Sequence, residues 1–159
     1  MLAALEALVK LESPTEDLAA CQDVVRLASE LATTILGTPA QIRDVNGRPV
    51  FWWGAENPDV VVLAHLDTVW PKGSFTPLWK VEGNKATGPG IFDMKAGFIQ
   101  ALYAMKGITG SAALVATTDE ETGSATSKEF IKEISAKAKA VLVLEASLNG
   151  MVKTGRKGT

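Results

Sequence analysis

The residues able to do chemistry in this chain are one histidine and a set of carboxylates, and each stands at the end of an apolar run. His65-Leu66-Asp67 follows Val60-Val61-Val62-Leu63-Ala64, Asp119-Glu120-Glu121 follows the run from Ser111 to Thr117, and Glu145 follows the run from Ala140 to Leu144. Asp93 closes the loop Gly88-Pro89-Gly90-Ile91-Phe92-Asp93, directly before a helical stretch. If the runs are parallel strands, their carboxyl ends share the sheet edge where open α/β folds place their sites. An imidazole and several carboxylates then crowd one small volume. Like charges and desolvation make such a cluster unfavourable, and divalent cations relieve it. A histidine nitrogen with carboxylate oxygens suits zinc, cobalt or manganese.

Spacing divides the roles further. Residues two apart on an extended strand point to one side, so Asp67 lies beside His65 and can accept its second N–H, the contact a metal-bound histidine normally makes. Adjacent residues point to opposite sides, so Glu120 and Glu121 cannot both ligate one ion from a regular strand. One binds metal and the other handles protons. Taken singly, each feature has a plainer explanation: a structural histidine, a solvated acidic pair, an aspartate capping a helix. Their joint placement at strand ends favours the metal site.

The elements that must position these groups follow from the apolar periodicity. Ser13-Pro14-Thr15-Glu16 predicts a helix start, with Ser13 as cap and Glu16 closing a capping box. Leu18, Cys21, Val25, Ala28, Ala32 and Ile35 form its buried stripe, and Gly37 ends it. Gln41 to Val45 and Val50 to Ala55 read as a hairpin around Asn46-Gly47. Trp52 and Trp53 lie on its second strand, one facing the core and one a neighbouring helix. The run Val60 to Ala64 predicts a strand buried on both faces, followed by a long loop. Met94 to Lys106 is expected to be helical, with Met94, Phe98, Leu102 and Met105 on one side. Thr126 to Ala136 is expected to be a second such helix, opened by a Thr126–Glu129 capping box. Met151 to Thr159 reads as the start of a further strand. The alternation of strands and helices predicts an α/β fold with a largely parallel central sheet flanked by helices.

Composition agrees with one ordinary globular domain. The chain has 159 residues, 47% hydrophobic and 21% charged, with a formal net charge of -2. That charge offers no basic field to nucleic acid, and no apolar run approaches membrane-spanning length. Cys21 is the only cysteine, so no intrachain disulfide forms, and it is expected to be a buried small hydrophobe. The opening segment lacks a signal-peptide pattern, and the expected compartment is the cytoplasm.

These motifs, in this order, resemble a known family. His65-Leu66-Asp67-Thr68-Val69, Gly88 through Gly97, Thr118-Asp119-Glu120-Glu121-Thr122-Gly123-Ser124 and Glu145 are similar to the ordered motifs of the co-catalytic zinc metallopeptidases. That family includes glutamate carboxypeptidase, acetylornithine deacetylase, succinyl-diaminopimelate desuccinylase and aminoacylase. The resemblance implies two zinc ions, with His65 and Glu145 on one, Glu121 on the other and Asp93 between them. It implies Glu120 as general base, Asp67 as the residue that orients His65, and a cis Asp93–Met94 peptide. Glutamate rather than aspartate at position 145 implies a carboxypeptidase or deacylase acting on a small peptide or N-acyl amino acid. Lys153 and Gly155-Arg156-Lys157-Gly158 are most like the glutamate carboxypeptidase branch. Lys153 could meet a substrate carboxylate or simply be solvated. Relatives complete the second zinc with a distant histidine, and a further histidine comes from a lid domain. His65 is the only histidine here. Residues 1–159 are therefore expected to be the first part of a catalytic domain, holding one zinc or none and nearly inactive alone, with self-association through apolar surface left uncovered. A homodimer fits the family.

Three other functions compete with this reading. A dinucleotide-binding domain would need a glycine where Asp93 stands, and Pro89 removes an N–H from any phosphate cradle. A non-catalytic structural fragment conflicts with the intact ligand set and with Glu120. An aminopeptidase of the same fold remains, and is separated by its need for a free amino terminus.

Overall fold

The computed structural model describes residues 1–147 and 149–155. Its elements run α1 (Leu2–Lys10), α2 (Leu18–Leu36), β1 (Gln41–Val45), β2 (Arg48–Gly54), β3 (Val60–His65), β4 (Lys80–Glu82), β5 (Lys85–Thr87), α3 (Ala96–Ala104), β6 (Ala112–Thr117), α4 (Lys128–Lys137) and β7 (Ala140–Val143). Five strands form one sheet in the order β1-β2-β6-β3-β7, and β4 with β5 forms a separate two-stranded ribbon. β3 lies parallel between β6 and β7, while β2 joins β6 antiparallel. The sheet is thus parallel where the site forms and antiparallel at the hairpin side.

Strand periodicity sorts the core into two layers. Phe51, Ala64, Leu114 and Ala116 face α1, α2 and α3, packing on Leu8, Val25, Ala28, Phe98 and Leu102. Val50, Trp52, Val61, Ala113 and Val115 face the other way, toward Phe130 and Ile134 of α4. Every residue of β6 is buried, as expected for a strand covered on both faces. Trp52 meets Phe130 edge-on and Trp53 packs on the opposite layer, so the two tryptophans do face different layers. The hairpin turns at Asn46-Gly47, both at positive φ.

Several sequence expectations need correction. Asp17, not Ser13, caps α2, its carboxylate accepting from Ala20 N–H at 2.9 Å. Ser13 and Pro14 instead lie beside residues 66–68, with a parallel bridge from Pro14 to Thr68, and Thr15 and Glu16 form a turn that leads to Asp17. α1 and the β4–β5 ribbon went unforeseen. α3 starts at Ala96, because Asp93 and Met94 leave helical geometry in the loop before it. No Thr126–Glu129 box opens α4, since Thr126 and Ser127 turn back to Asp119. Met151 to Gly155 forms no strand, and Arg156, Lys157 and Gly158 lie outside the described residues. Leu142 and Val143 on β7 and Phe92 beside it are exposed, at 52%, 55% and 76%. Among the described residues no helix is long and apolar enough to cross a membrane.

Candidate metal centre

β3 delivers His65 to the carboxyl edge of the sheet. There the imidazole is 1% exposed, with Nε2 turned toward three acidic groups. Asp93 Oδ1 lies 3.1 Å from Nε2, Glu145 Oε1 3.5 Å and Glu120 Oε2 3.9 Å. His65, Asp93 and Glu145 each offer one ligand atom, and these atoms all lie within 4.8 Å of one another. Glu121 is outside that trio. Its backbone N–H donates to Asp67 Oδ2 at 3.2 Å, which holds it beside the cluster.

Two glycines make this convergence sterically feasible. A Cβ on Gly90, whose φ is +69, would lie 2.6 Å from Thr68 Cγ2. One on Gly97 would lie 2.5 Å from the Leu144 carbonyl oxygen. The second contact is with backbone directly preceding Glu145, so only glycine there lets α3 and the end of β7 approach closely enough. The Asp93–Met94 peptide is cis, as the resemblance implies.

The other face of the imidazole is held from below. His65 Nδ1 lies 3.0 Å from the Asp67 backbone carbonyl and 3.4 Å from Asp67 Oδ1. The nearer acceptor is the carbonyl, so the sequence expectation that the Asp67 carboxylate takes this N–H is met only in part. Asp67 Oδ2 accepts from the Thr15 hydroxyl at 2.7 Å.

The electrostatics suit positive charge. Burial pulls the His65 imidazolium down, but Asp67, Glu145 and Glu120 outweigh it and hold its pKa up at about 11. Asp93 is raised by burial and by Glu145. Glu120 and Glu121 are raised by burial and by neighbouring carboxylates, against a lowering influence from His65. A cleft that grips one proton this firmly has the field for a divalent cation, and its donor set of one nitrogen and several carboxylate oxygens fits zinc, cobalt or manganese.

The third acidic residue of the turn, Asp119, has a different task. It is buried and accepts from Thr126 N–H and hydroxyl and from Ser127 N–H and hydroxyl. Lys95 is also wholly buried, and its Nζ donates to the carbonyls of Leu8 and Leu11, each at 3.0 Å, at the end of α1. Burial pulls its pKa down to about 7, with Glu12, Cys21 and Asp67 opposing. Sequence patterns missed Lys95, Thr15 and the task of Asp119. The available signals were a lysine inside an otherwise apolar helical face and a pair of hydroxyls flanking Pro14.

The sequence profile of Peptidase family M20/M25/M40 matches residues 61–156, more than half of the chain and the whole of the cluster just described. The chain belongs to this family. Among curated proteins, this M20 chain is 35% identical over 105 residues to carboxypeptidase G2 of a Pseudomonas strain, covering 61% of the chain but 25% of that enzyme. Solved structures share the fold. An M20 family metallo-carboxypeptidase from Sulfolobus solfataricus aligns with TM-score 0.72 and 20% identity, over 92% of this chain and 37% of that one. Human carnosine dipeptidase 1 aligns with TM-score 0.70 and 15% identity, over 89% of this chain and 37% of that one. The chain thus spans a quarter to somewhat over a third of the length of these relatives.

Proposed function

We propose that the full-length protein is a metal-dependent amidohydrolase of the carboxypeptidase or deacylase type, cleaving a small peptide or an N-acyl amino acid. The observation that carries this is the convergence of His65, Asp93 and Glu145 ligand atoms within 4.8 Å, with Glu120 3.9 Å from the same imidazole nitrogen. In this proposal His65 and Glu145 hold one ion, Glu121 holds a second, and Asp93 serves both. When bound, divalent cations supply Lewis acidity toward the amide carbonyl and bring the pKa of water toward neutrality.

The protein's own groups do the rest. Glu120 is partly exposed and its carboxyl is held above the ordinary carboxylate range, which suits a group that takes a proton from water and returns it to the leaving amine nitrogen. Asp67 and the backbone beneath His65 fix the ring so that Nε2 faces the cleft. The likeness to carboxypeptidase G2, together with glutamate at position 145, supports a substrate with a free carboxylate.

The test is hydrolysis by the full-length protein of peptides ending in glutamate and of N-acyl amino acids, before and after chelation. Turnover is expected to vanish with chelator and to return with zinc or cobalt. Glu120→Gln is expected to lower kcat by about 10²–10⁴-fold while metal binding persists. Turnover indifferent to chelation would overturn the metal mechanism. Turnover confined to peptides with a free amino terminus would make the protein an aminopeptidase.

A further inference from the structure

We propose that Thr15 is a positioning residue for the metal centre, acting through Asp67; the proposal rests on the metal-centre function above. Asp67 is wholly buried. A carboxylate only accepts hydrogen bonds, so the Thr15 hydroxyl, 2.7 Å from Asp67 Oδ2, is the donor. The Glu121 N–H reaches the same oxygen at 3.2 Å. With Oδ2 pinned by two donors, Oδ1 is turned to the His65 side, 3.4 Å from Nδ1. No other protein donor reaches Oδ1 among the described residues. The orientation of the carboxylate beneath the imidazole is therefore set from the Oδ2 end, and Thr15 makes the shorter of its two bonds.

Thr15 is itself firmly placed. Pro14 and Thr68 form a parallel bridge, with Thr15 N–H donating to Thr68 O at 3.2 Å and Thr68 N–H to Ser13 O at 2.9 Å. The Ser13 hydroxyl donates to the Leu66 carbonyl at 2.6 Å. Arg48 Nη1 donates to the carbonyls of Thr15 at 2.7 Å and Thr118 at 2.8 Å. The strap of residues 13–15 thus ties the segment carrying His65 and Asp67 to the turn carrying Glu120 and Glu121. Because Asp17 caps α2, the Thr15 hydroxyl is not engaged at the helix start. Its methyl and hydroxyl differ in what they can do for Asp67, and valine keeps the shape without the donor.

The experiment measures zinc affinity by competition against a chelator, the cobalt(II) absorption spectrum and the thermal midpoint of the metal-free state, all on the full-length protein. Thr15→Val is expected to weaken zinc binding by several-fold, up to about tenfold, the lower end of the range for removing a direct partner of a metal ligand, and to shift the cobalt spectrum. Thr15→Ser restores the hydroxyl and is expected to bind as the wild type does. Ser13→Ala, which loosens the strap but keeps the Thr15 hydroxyl, is expected to weaken zinc binding less than Thr15→Val does. Asp67→Asn weakens binding by itself, and adding Thr15→Val to it is expected to cost little more, because the two act in series. Should Thr15→Val fail to fold, Thr15→Ala carries the same expectation. A lower thermal midpoint with unchanged zinc affinity and spectrum would make Thr15 merely structural and overturn the proposal, leaving the metal centre intact. Wild-type protein that binds no zinc, or binds it equally after His65→Ala, would overturn the metal centre and this proposal with it.

Discussion

The acidic rim of the sheet has a floor and a mouth, and the same side-chain chemistry behaves oppositely in the two. On the floor, Asp67 and Asp119 are buried and supplied with protein donors: Thr15 and Glu121 N–H for one, Thr126 and Ser127 for the other. Burial alone would raise Asp119, yet the hydroxyls and amides of Ser127 and Thr126 more than offset it and leave its carboxyl below the usual range. At the mouth, Asp93, Glu120 and Glu121 are more open to solvent but sit above the usual range, raised first by what burial they have and then by neighbouring carboxylates: Glu145 for Asp93, Glu145, Asp67 and Asp93 for Glu120, and Asp93, Asp67 and Glu120 for Glu121. Exposure would suggest the reverse order. What decides it is whether the protein itself provides the positive ends of dipoles. On the floor Asp119 is satisfied at both oxygens and Asp67 at Oδ2, its Oδ1 facing only His65, whereas the mouth is arranged for charge brought from outside.

This contrast predicts that floor substitutions cost the fold and mouth substitutions cost the metal. The largest effect is expected from Asp119→Ala, which strands four donors, those of Ser127 in buried surroundings. A loss of about 3 kcal/mol is expected from urea unfolding of the metal-free protein, since each buried unsatisfied group costs about 1–3 kcal/mol and partial relaxation recovers some of it. A loss below about 1 kcal/mol would mean that Asp119 belongs with the mouth and that floor and mouth do not differ.

How much of this was legible beforehand depends on the range of the interactions concerned. Apolar runs declared β3, β6 and β7, although only β6 is buried along its whole length and β7 is largely exposed, and their carboxyl ends declared His65, Asp119-Glu120-Glu121 and Glu145. Asn46-Gly47 declared the hairpin because its turn needs two positive φ values. Failures cluster where a residue has both a local and a distant partner available. Ser13-Pro14-Thr15-Glu16 fits a capping pattern, yet Ser13 and Thr15 serve Leu66 and Asp67, more than fifty positions away. Thr126 and Glu129 fit a capping box, yet Asp119 reaches Thr126 first. Sequence spacing also cannot say that β2 pairs antiparallel with β6, because both neighbours of a buried strand look alike from within it. At the site, the residue types were legible. The division of the acidic groups into floor and mouth was not, since it depends on donors that come from elsewhere in the chain.

Lys95 sharpens the comparison because it is a wholly buried amino group, its pKa pulled down by burial to about 7. Replacing a buried charge with an apolar side chain is often neutral or stabilising when its partners leave with it. Here the partners are the backbone carbonyls of Leu8 and Leu11, which no substitution at 95 removes. Lys95→Met is therefore expected to destabilise by about 2 kcal/mol, the cost of unpaired carbonyls near a buried helix end, and to loosen α1 in hydrogen exchange. A gain in stability would show that the ammonium is a burden kept for the site alone.

The smallest effect should fall at the mouth and carry the opposite sign. Glu121 is raised by burial and by the charges of Asp93, Asp67 and Glu120, with His65 opposing. Glu121→Gln removes one member of that repelling set and keeps both the shape and the backbone N–H that serves Asp67. In the metal-free protein it is expected to stabilise by roughly 0.5 kcal/mol or less, because solvent screens a partly exposed charge. With zinc present the sign should invert. A ligand present at a hundred times its dissociation constant stabilises by about 2.7 kcal/mol, and a variant lacking one ligand forfeits part of that. Thermal midpoints of wild type and Glu121→Gln, each with zinc and with chelator, give the four values needed. Curves that do not cross between the two conditions would mean that Glu121 shares the character of Asp119, held by the protein and not waiting for an ion.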